Sequence, residues 1–549
     1  MSRVAVLGGG VGGLSVAHEL SERDFDVVVL EAGDRFGGKA RSFPGPERPD
    51  GAVLPAEHGF RFFPGFYQHV TETMSRIPYE DGAVTDNLVE TTEVLQASTD
   101  RQWSMMTAPP TTLTGYRTSV RQLFGGPEVS ADEKAYFLCR LTQLLTSSQN
   151  RLLESYDDVS WWEFIEAEKM SHKYKKNIGY GLSQSLVALR PKQASTRTMG
   201  TIYLQLIQGL LDESMEADLV LNGPTSDVWI DPWVEYLDDL GVDLQSNTPV
   251  TAIESDGRRV TGVTIDDGGS ERTVTADYYV ASLPLGVLKS LSSPSLEAAV
   301  PSVSRLQNLD EAWMNGIQFY LNEDVELVHG HGIYYDSPWA LTTISQRQFW
   351  DEYNFDSHED SEGILSVCIS NWNDPGIVYG KPAKACTRHE IKTEVVAQLE
   401  AHLNEANGLT FSDDLVHDWC LDQAISFDRD GIVDDNAEPL FINTVGSLKH
   451  RPEPATEADN FMIATDYART NSDLASMESA NEAARRAVNA IIDRSGATAE
   501  PCDIGTLTVP QSIEYLKRID GLIHRSRLPH PGAMTPRVWS MYCTLKSLI

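Results

Sequence analysis

The chain has 549 residues, too many for one ordinary hydrophobic core, so two or three structural units are expected. Hydrophobic residues make up 41 % of it, which excludes wholesale disorder. Acidic residues number 80 against 44 basic ones, and the resulting net charge of −36 repels phosphate backbones and excludes nucleic acid as an expected partner.

The acid is spread along the chain, so its self-repulsion is tolerable where salt screens it over about 3 Å at molar concentration. A salt-rich, halophilic host is the expectation. The six cysteines, Cys139, Cys368, Cys386, Cys420, Cys502 and Cys543, form no CxxC pair. That pattern gives no support to a zinc or iron–sulfur centre and suits buried, inert thiols in a reducing compartment. No apolar run is long enough to span a bilayer, and the first residues lack the pattern of a signal peptide. A cytoplasmic location follows as an expectation.

In chain order, Arg3–Leu7 reads as a strand, Gly8–Gly13 as a turn, and Leu14–Leu20 as a helix. Asp26–Leu30 (DVVVL) reads as a second, fully buried strand, completing a βαβ unit and implying a parallel sheet. Residues 100–225 are mainly helical in pattern, as in Ala135–Leu145 and Ile202–Leu211. From Thr248 to Ala281 the pattern turns to strands, with Gly257 and Asp266–Gly269 supplying turns. Residues 301–445 mix strands and helices, with Gly316–Leu321 a clear strand. Phe461–Ala464 is a short strand, and Leu474–Arg494 a long helix with Asp473 as its expected N-cap and Gly496 as its stop. Beyond Gly496 the tail gains Lys517, Arg518, Arg525, Arg527, Arg537 and Lys546 among apolar residues. It suits a peripheral membrane contact, or an arm packed on the protein's own acidic surface.

The chemistry-bearing motif is Gly8-x-Gly10-x-Gly12-Gly13 between strand and helix, with Glu31 ending the next strand. Gly8 permits the tight turn, Gly10 lets backbone approach a pyrophosphate at the helix N-terminus, and Gly13 lets helix and strand pack closely. Glu31 lies where a carboxylate binds ribose hydroxyls. This motif alone leaves NAD and FAD open.

The following segment, Ala32-Gly33-Asp34-Arg35-Phe36-Gly37-Gly38-Lys39-Ala40-Arg41, adds a second glycine pair beside three cations. It resembles the R-x-G-G-[RK] segment of the flavin amine oxidase and phytoene desaturase superfamily. The resemblance extends to Glu57-His58-Gly59-Phe60, to Pro249-Val250, to Ala276–Pro284, and to Phe461–Asp466 with Ser476-Met477-Glu478. It implies FAD as cofactor. Gly8, Gly10, Gly12, Gly13, Glu31, Ala32, Arg35, Gly37, Gly38, Lys39, Arg41, His58, Gly59, Phe60, Val250, Asp466 and Met477 would bind it. Val250 would touch the adenine, Asp466 the ribityl or pyrophosphate, and the helix N-terminus near Met477 the flavin's pyrimidine end.

Two departures bear on the reaction. Asn315 stands where many amine oxidases keep a lysine hydrogen-bonded through water to the flavin, and Ser476 stands where they keep an aromatic residue for the amine. Both argue against amine oxidation and for the desaturase-like branch, including hydroxysqualene dehydroxylase-like proteins, which Glu57–Tyr67 also resembles.

The fold expected is α/β: a discontinuous Rossmann-like FAD-binding domain (1–100, 225–300 and 445–498), an interleaved α+β substrate domain (101–224 and 301–444), and a C-terminal extension (499–549). The function expected is hydride transfer between flavin N5 and a hydrophobic isoprenoid, carotenoid-like or squalene-like. An amine oxidase and a non-catalytic flavin-binding lipid carrier are the alternatives. No catalytic residue is assigned. Trp161, Trp162, Trp229, Trp233 and Trp339 read mostly as core, His329-Gly330-His331 as a solvated loop, and His58 as a hydrogen-bonded structural histidine.

Overall fold

The computed structural model describes residues 2–47, 51, 53–99, 104–107, 129–181, 184, 188–211, 217–350, 362–404, 411–506 and 511–546. Two sheets organise them. The first has five strands in the order Asp243–Gln245, Asp26–Leu30, Arg3–Leu7, Tyr278–Ala281 and Phe461–Ile463, with every pair parallel. Its strands are short and β-branched, and both faces are covered, as a parallel sheet requires. Strand alternation divides the burial: Val4, Val6, Val27 and Val29 pack on one face, Ala5, Leu7, Val28 and Leu30 on the other. The first face is covered by the helices Val11–Ser21 and Met477–Ser495 and by Trp229 and Trp233. The second is covered by an antiparallel sheet of Val250–Ser255, Val260–Asp266 and Glu271–Val274. The chain therefore builds the parallel sheet from strands as distant as residues 3 and 463, and the α/β class expected from the βαβ unit holds.

The second sheet has seven strands in the order Val416–Leu421, Asn315–Leu321, Gly363–Ile369, Leu341–Ser345, Gly330–Tyr334, Glu93–Ala97 and Ser104–Thr107. All its pairs are antiparallel except Gly330–Tyr334 with Glu93–Ala97. The strand Glu93–Ala97, grouped by the sequence boundary at 100 with the first unit, is thus hydrogen-bonded into the second. The helix Arg388–Leu403 buries Ile391, Val395, Leu399 and Leu403 against one face of this sheet. Residues 129–211, where described, are mainly helical, with Ala131–Leu145 and Thr196–Leu211 the longest helices; residues 108–128, within the stretch read as helical, lie outside the described residues.

Four local readings change. The helix expected over Leu474–Arg494 is Met477–Ser495, and its N-cap is Ser476, whose hydroxyl accepts from the Ser479 N–H; Gly496 (φ 69°) ends it as expected. Asp473 is spent elsewhere: it binds the guanidinium groups of Arg197 and Arg451 in a buried cluster that ties three distant segments together. His331 is not in a solvated loop but on the buried strand Gly330–Tyr334. Cys139 and Cys543 are exposed, so only Cys368, Cys386 and Cys502 match the expectation of buried thiols. The tryptophans Trp161, Trp229, Trp233 and Trp339 are fully buried.

The tail forms two helices, Gln511–Arg525 and Thr535–Lys546. Asp520 is buried against Arg151 (2.9 Å) and the Ser148 N–H (2.8 Å), His530 meets Thr146 (3.2 Å), and Tyr542 donates to Asp132 (2.8 Å). The arm is therefore docked on the helical region. Its outer side still exposes Tyr515, Leu516, Leu522, Leu528, Met534, Val538 and Met541. Among the described residues, no helix is long and apolar enough to cross a membrane.

Candidate active site

One cavity of about 680 Å³ runs from the parallel sheet to the second sheet. The carboxyl ends of four parallel strands open onto it: Gly8 follows Leu7, Glu31 follows Leu30, Ser282 follows Ala281, and Ala464 follows Ile463. In open α/β sheets this edge is where ligands bind. Fifteen of the residues named from sequence line it; Gly13 and Arg35 do not.

The exceptions have physical reasons. A Cβ on Gly13 would lie 1.9 Å from the Gly8 carbonyl oxygen, so Gly13 serves helix–strand packing beneath the loop. Arg35 is exposed, with its guanidinium 3.9 Å from Asp231, and does not line the cavity. Gly8 has φ +100°, and a Cβ there would lie 2.4 Å from the Ser282 carbonyl oxygen, so glycine is required twice over.

The helix Val11–Ser21 begins at Gly10 with no side-chain cap. Its first amides are consequently free for an anion at the cavity edge. Glu31 accepts from Gly9 N–H through Oε2 and from Gly33 N–H through Oε1, each at 2.7 Å. These bonds brace the loop and leave each oxygen a second lone pair for ligand hydroxyls. Lys39 Nζ binds the Pro439 carbonyl, and Arg41 pairs with Glu438 at 2.9 Å. Burial pushes the Asp466 carboxyl above its usual range, against the opposing charges of Lys39 and Arg451. An uncapped helix start, a braced carboxylate and flanking cations fit a dinucleotide.

Past the glycines the cavity becomes apolar, lined by Phe60, Phe62, Phe66, Leu189, Ile202, Leu206, Met314, Leu440 and Ile442. His58 stands where the two parts meet. Its Nδ1 lies 2.6 Å from Asp422 Oδ2 and 3.6 Å from Glu438. Burial alone would raise the Asp422 pKa, but the His58 charge and hydrogen bonds from Ala424 N–H (3.0 Å) and Asn315 Nδ2 (2.7 Å) hold it below the usual range. Asn315 is fully buried and also accepts from Asn436 Nδ2 at 2.9 Å. Where the related oxidases are expected to place a lysine, this chain thus has a neutral amide locked into a carboxylate–imidazole network.

Sequence reading missed Asp422 and the role of Glu478. Glu478, next to the cavity-lining Met477, is buried. It accepts from Gln68 N–H (2.9 Å), His69 N–H (2.9 Å), Val70 N–H (3.0 Å) and His69 Nδ1 (2.6 Å), clamping the start of the helix His69–Ser75. The partner positions are some 400 residues apart in the chain, so no local signal marks the contact.

The sequence profile of the flavin containing amine oxidoreductase family matches residues 11–492. The chain belongs to this family. As a member it is an FAD-dependent oxidoreductase.

Among curated proteins, it is 23 % identical over 519 residues to a zeta-carotene desaturase from Synechocystis, covering 89 % of this chain and 97 % of that one. It is 22 % identical to a 15-cis-phytoene desaturase from Synechococcus elongatus, covering 90 % and 96 %. A flavin-dependent L-tryptophan oxidase from Lentzea aerocolonigenes is 26 % identical over 53 % of this chain. Solved structures with the same fold include a putrescine oxidase (TM-score 0.60, 15 % identity, 90 % and 99 % coverage). Another is an oxidoreductase from Methanosarcina mazei (TM-score 0.57, 14 % identity, 89 % and 100 % coverage).

Proposed function

We propose that this flavoprotein transfers a hydride between flavin N5 and a hydrophobic isoprenoid, carotenoid-like or squalene-like. The observation that carries the reading is the cavity itself: its dinucleotide end continues without a wall into a chamber of aromatic and aliphatic side chains. Such a chamber desolvates a long apolar ligand. The full-length relatedness to carotenoid desaturases supports the same reading. So do Asn315 and Ser476, which replace the lysine and aromatic residue expected of an amine oxidase. When bound, FAD supplies a two-electron acceptor or donor. The chain's own residues hold the pyrophosphate at Gly10, the ribose at Glu31, and the apolar chain along Phe60, Phe62 and Ile202. His58, oriented by Asp422, is the titratable group placed at the junction to hold or move a proton.

In this reading the parallel sheet with its covering helices is the FAD unit. The seven-stranded sheet, including Glu93–Ala97, forms the substrate unit with the helices of 129–211. The exposed apolar residues of the two C-terminal helices, interleaved with Lys517, Arg518, Arg525, Arg527 and Arg537, give an acidic protein a basic, apolar contact for an anionic membrane from which a lipid is drawn.

The test is anaerobic titration of the yellow protein, and separately of its dithionite-reduced form, with phytoene, squalene and a panel of primary amines, followed at the flavin bands, with peroxide measured in air. Bleaching or reoxidation by an isoprenoid alone supports the reading. Peroxide released with an amine, and no spectral response to any isoprenoid, overturns it. No response to either class indicates a carrier without turnover.

A further inference from the structure

The roof of the apolar chamber is the second sheet, and its register places two polar residues on the face that lines the cavity. Ile333 pairs with Thr342, and His331 pairs with Ile344. Residues two apart in a strand, and residues directly opposite across a pair, share a face. His331 and Thr342 are therefore diagonal neighbours on one face, with Cβ atoms within about 8 Å. Both line the cavity.

Both are sealed from solvent, His331 at 5 % and Thr342 at 1 % exposure. The His331 ring lies between Phe60 (5.2 Å) and Phe62 (5.0 Å). Burial pushes its pKa down to about 4, so the imidazole is neutral, with one N–H and one lone pair. Neighbouring polar groups of the chamber are engaged within the protein: Thr198 donates to Asp473 (2.9 Å), Asn443 donates to the Asp473 carbonyl (3.3 Å), and Asp218 accepts from Gly65 N–H (2.9 Å). Among the described residues, His331 Nε2 and Thr342 Oγ1 have no hydrogen-bond partner. Buried polar atoms are seldom left so, because each forfeits its bond to water. A pure hydrocarbon would leave both unpaired. A hydroxyl satisfies both, accepting from one and donating to the other.

We propose that the substrate carries an oxygen function, most simply a hydroxyl, which His331 and Thr342 bind on the roof of the apolar chamber. This rests on the hydrophobic-substrate reading above and narrows it. The pair selects an oxygenated chain over the hydrocarbon of the same length and fixes which part of that chain reaches the flavin.

The experiment measures binding to the FAD-loaded protein through flavin and tryptophan fluorescence. Two ligand pairs are used, geranylgeraniol with its deoxy hydrocarbon, and hexadecanol with hexadecane. The proteins are wild type, Thr342→Val, His331→Phe and the double variant, each checked for FAD content and melting temperature. The expected result is an alcohol preference of about tenfold in wild type, the worth of one buried hydrogen bond, lost in the double variant. Should His331→Phe fail to fold, Thr342→Val and His331→Gln carry the test. Equal binding of alcohol and hydrocarbon by wild type, or a preference that survives the variants, overturns the contact while leaving the isoprenoid reading intact. If only the hexadecanol preference appears and depends on these residues, the contact stands and the isoprenoid reading falls.

Discussion

Glu478→Gln isolates the clamp between the cavity-lining helix start and the helix His69–Ser75. The carboxylate accepts three backbone N–H groups and the His69 imidazole, all within 3.0 Å at closest approach. His69 Nε2 accepts from Gly505 N–H at 2.9 Å, which puts the proton of the neutral ring on Nδ1, donating to Glu478. Glutamine keeps one acceptor but turns an NH₂ toward donors that cannot accept. Breaking such a buried, charge-assisted network costs about 3–5 kcal/mol, a large share of the roughly 5–15 kcal/mol that holds a folded domain.

The sign of the pH dependence follows from the lowered pKa of Glu478. Burial would raise it, but the hydrogen bond from His69, with the backbone donors, brings it below the ordinary value. A carboxylate depressed in the folded state contributes stability that is fully present above its unfolded pKa of about 4.3, and loses it as pH falls through the lower folded value. The gap between wild type and Glu478→Gln should thus be full at pH 7 and shrink only below about pH 4. Urea midpoints followed by flavin fluorescence, at both pH values and with unchanged m, read this directly. A neutral-pH difference under about 1 kcal/mol would refute the reasoning, since that is the scale of one exposed contact.

Glu31→Ala should weaken FAD retention by about 1.5–3 kcal/mol, seen as flavin released on gel filtration, because it removes the proposed ribose acceptor and the brace on Gly9 and Gly33. Retention equal to wild type would remove Glu31 from the cofactor site. The net charge of −36 predicts a melting temperature that climbs from low to molar salt; a flat profile would leave the halophile expectation without support. For the tail, Leu522→Gln with Val538→Gln and Met541→Gln should reduce sedimentation with phosphatidylglycerol vesicles, with FAD content and melting temperature unchanged. Deletion of the arm is the poorer test because it strips Asp520 from buried Arg151. Undiminished sedimentation of the triple variant would dismiss the membrane contact.

What the sequence determined by itself is what short-range chemistry specifies. The run RVAVL, a glycine turn, a helix, and DVVVL terminated by Glu31 can satisfy their backbone groups and bury their side chains in essentially one way, so the βαβ unit and the cofactor edge were legible. The Ser476 cap and Gly496 stop were equally local, yet the first was misread as Asp473, because cap preference ranks aspartate and serine alike. Only the buried arginines Arg197 and Arg451 decide that Asp473 is needed elsewhere.

Tertiary structure alone decided the rest. Asp422 reaches His58 and Glu478 reaches His69 across several hundred residues, and nothing in the intervening sequence encodes such a meeting. Glu93–Ala97 could have joined either sheet; its parallel pairing with Gly330–Tyr334 assigned it. His329-Gly330-His331 looked solvated because two histidines and a glycine are polar and flexible in isolation. The sheet buried His331 under Phe60 and Phe62 regardless, because strand pairing, not side-chain polarity, set which residues faced the cavity.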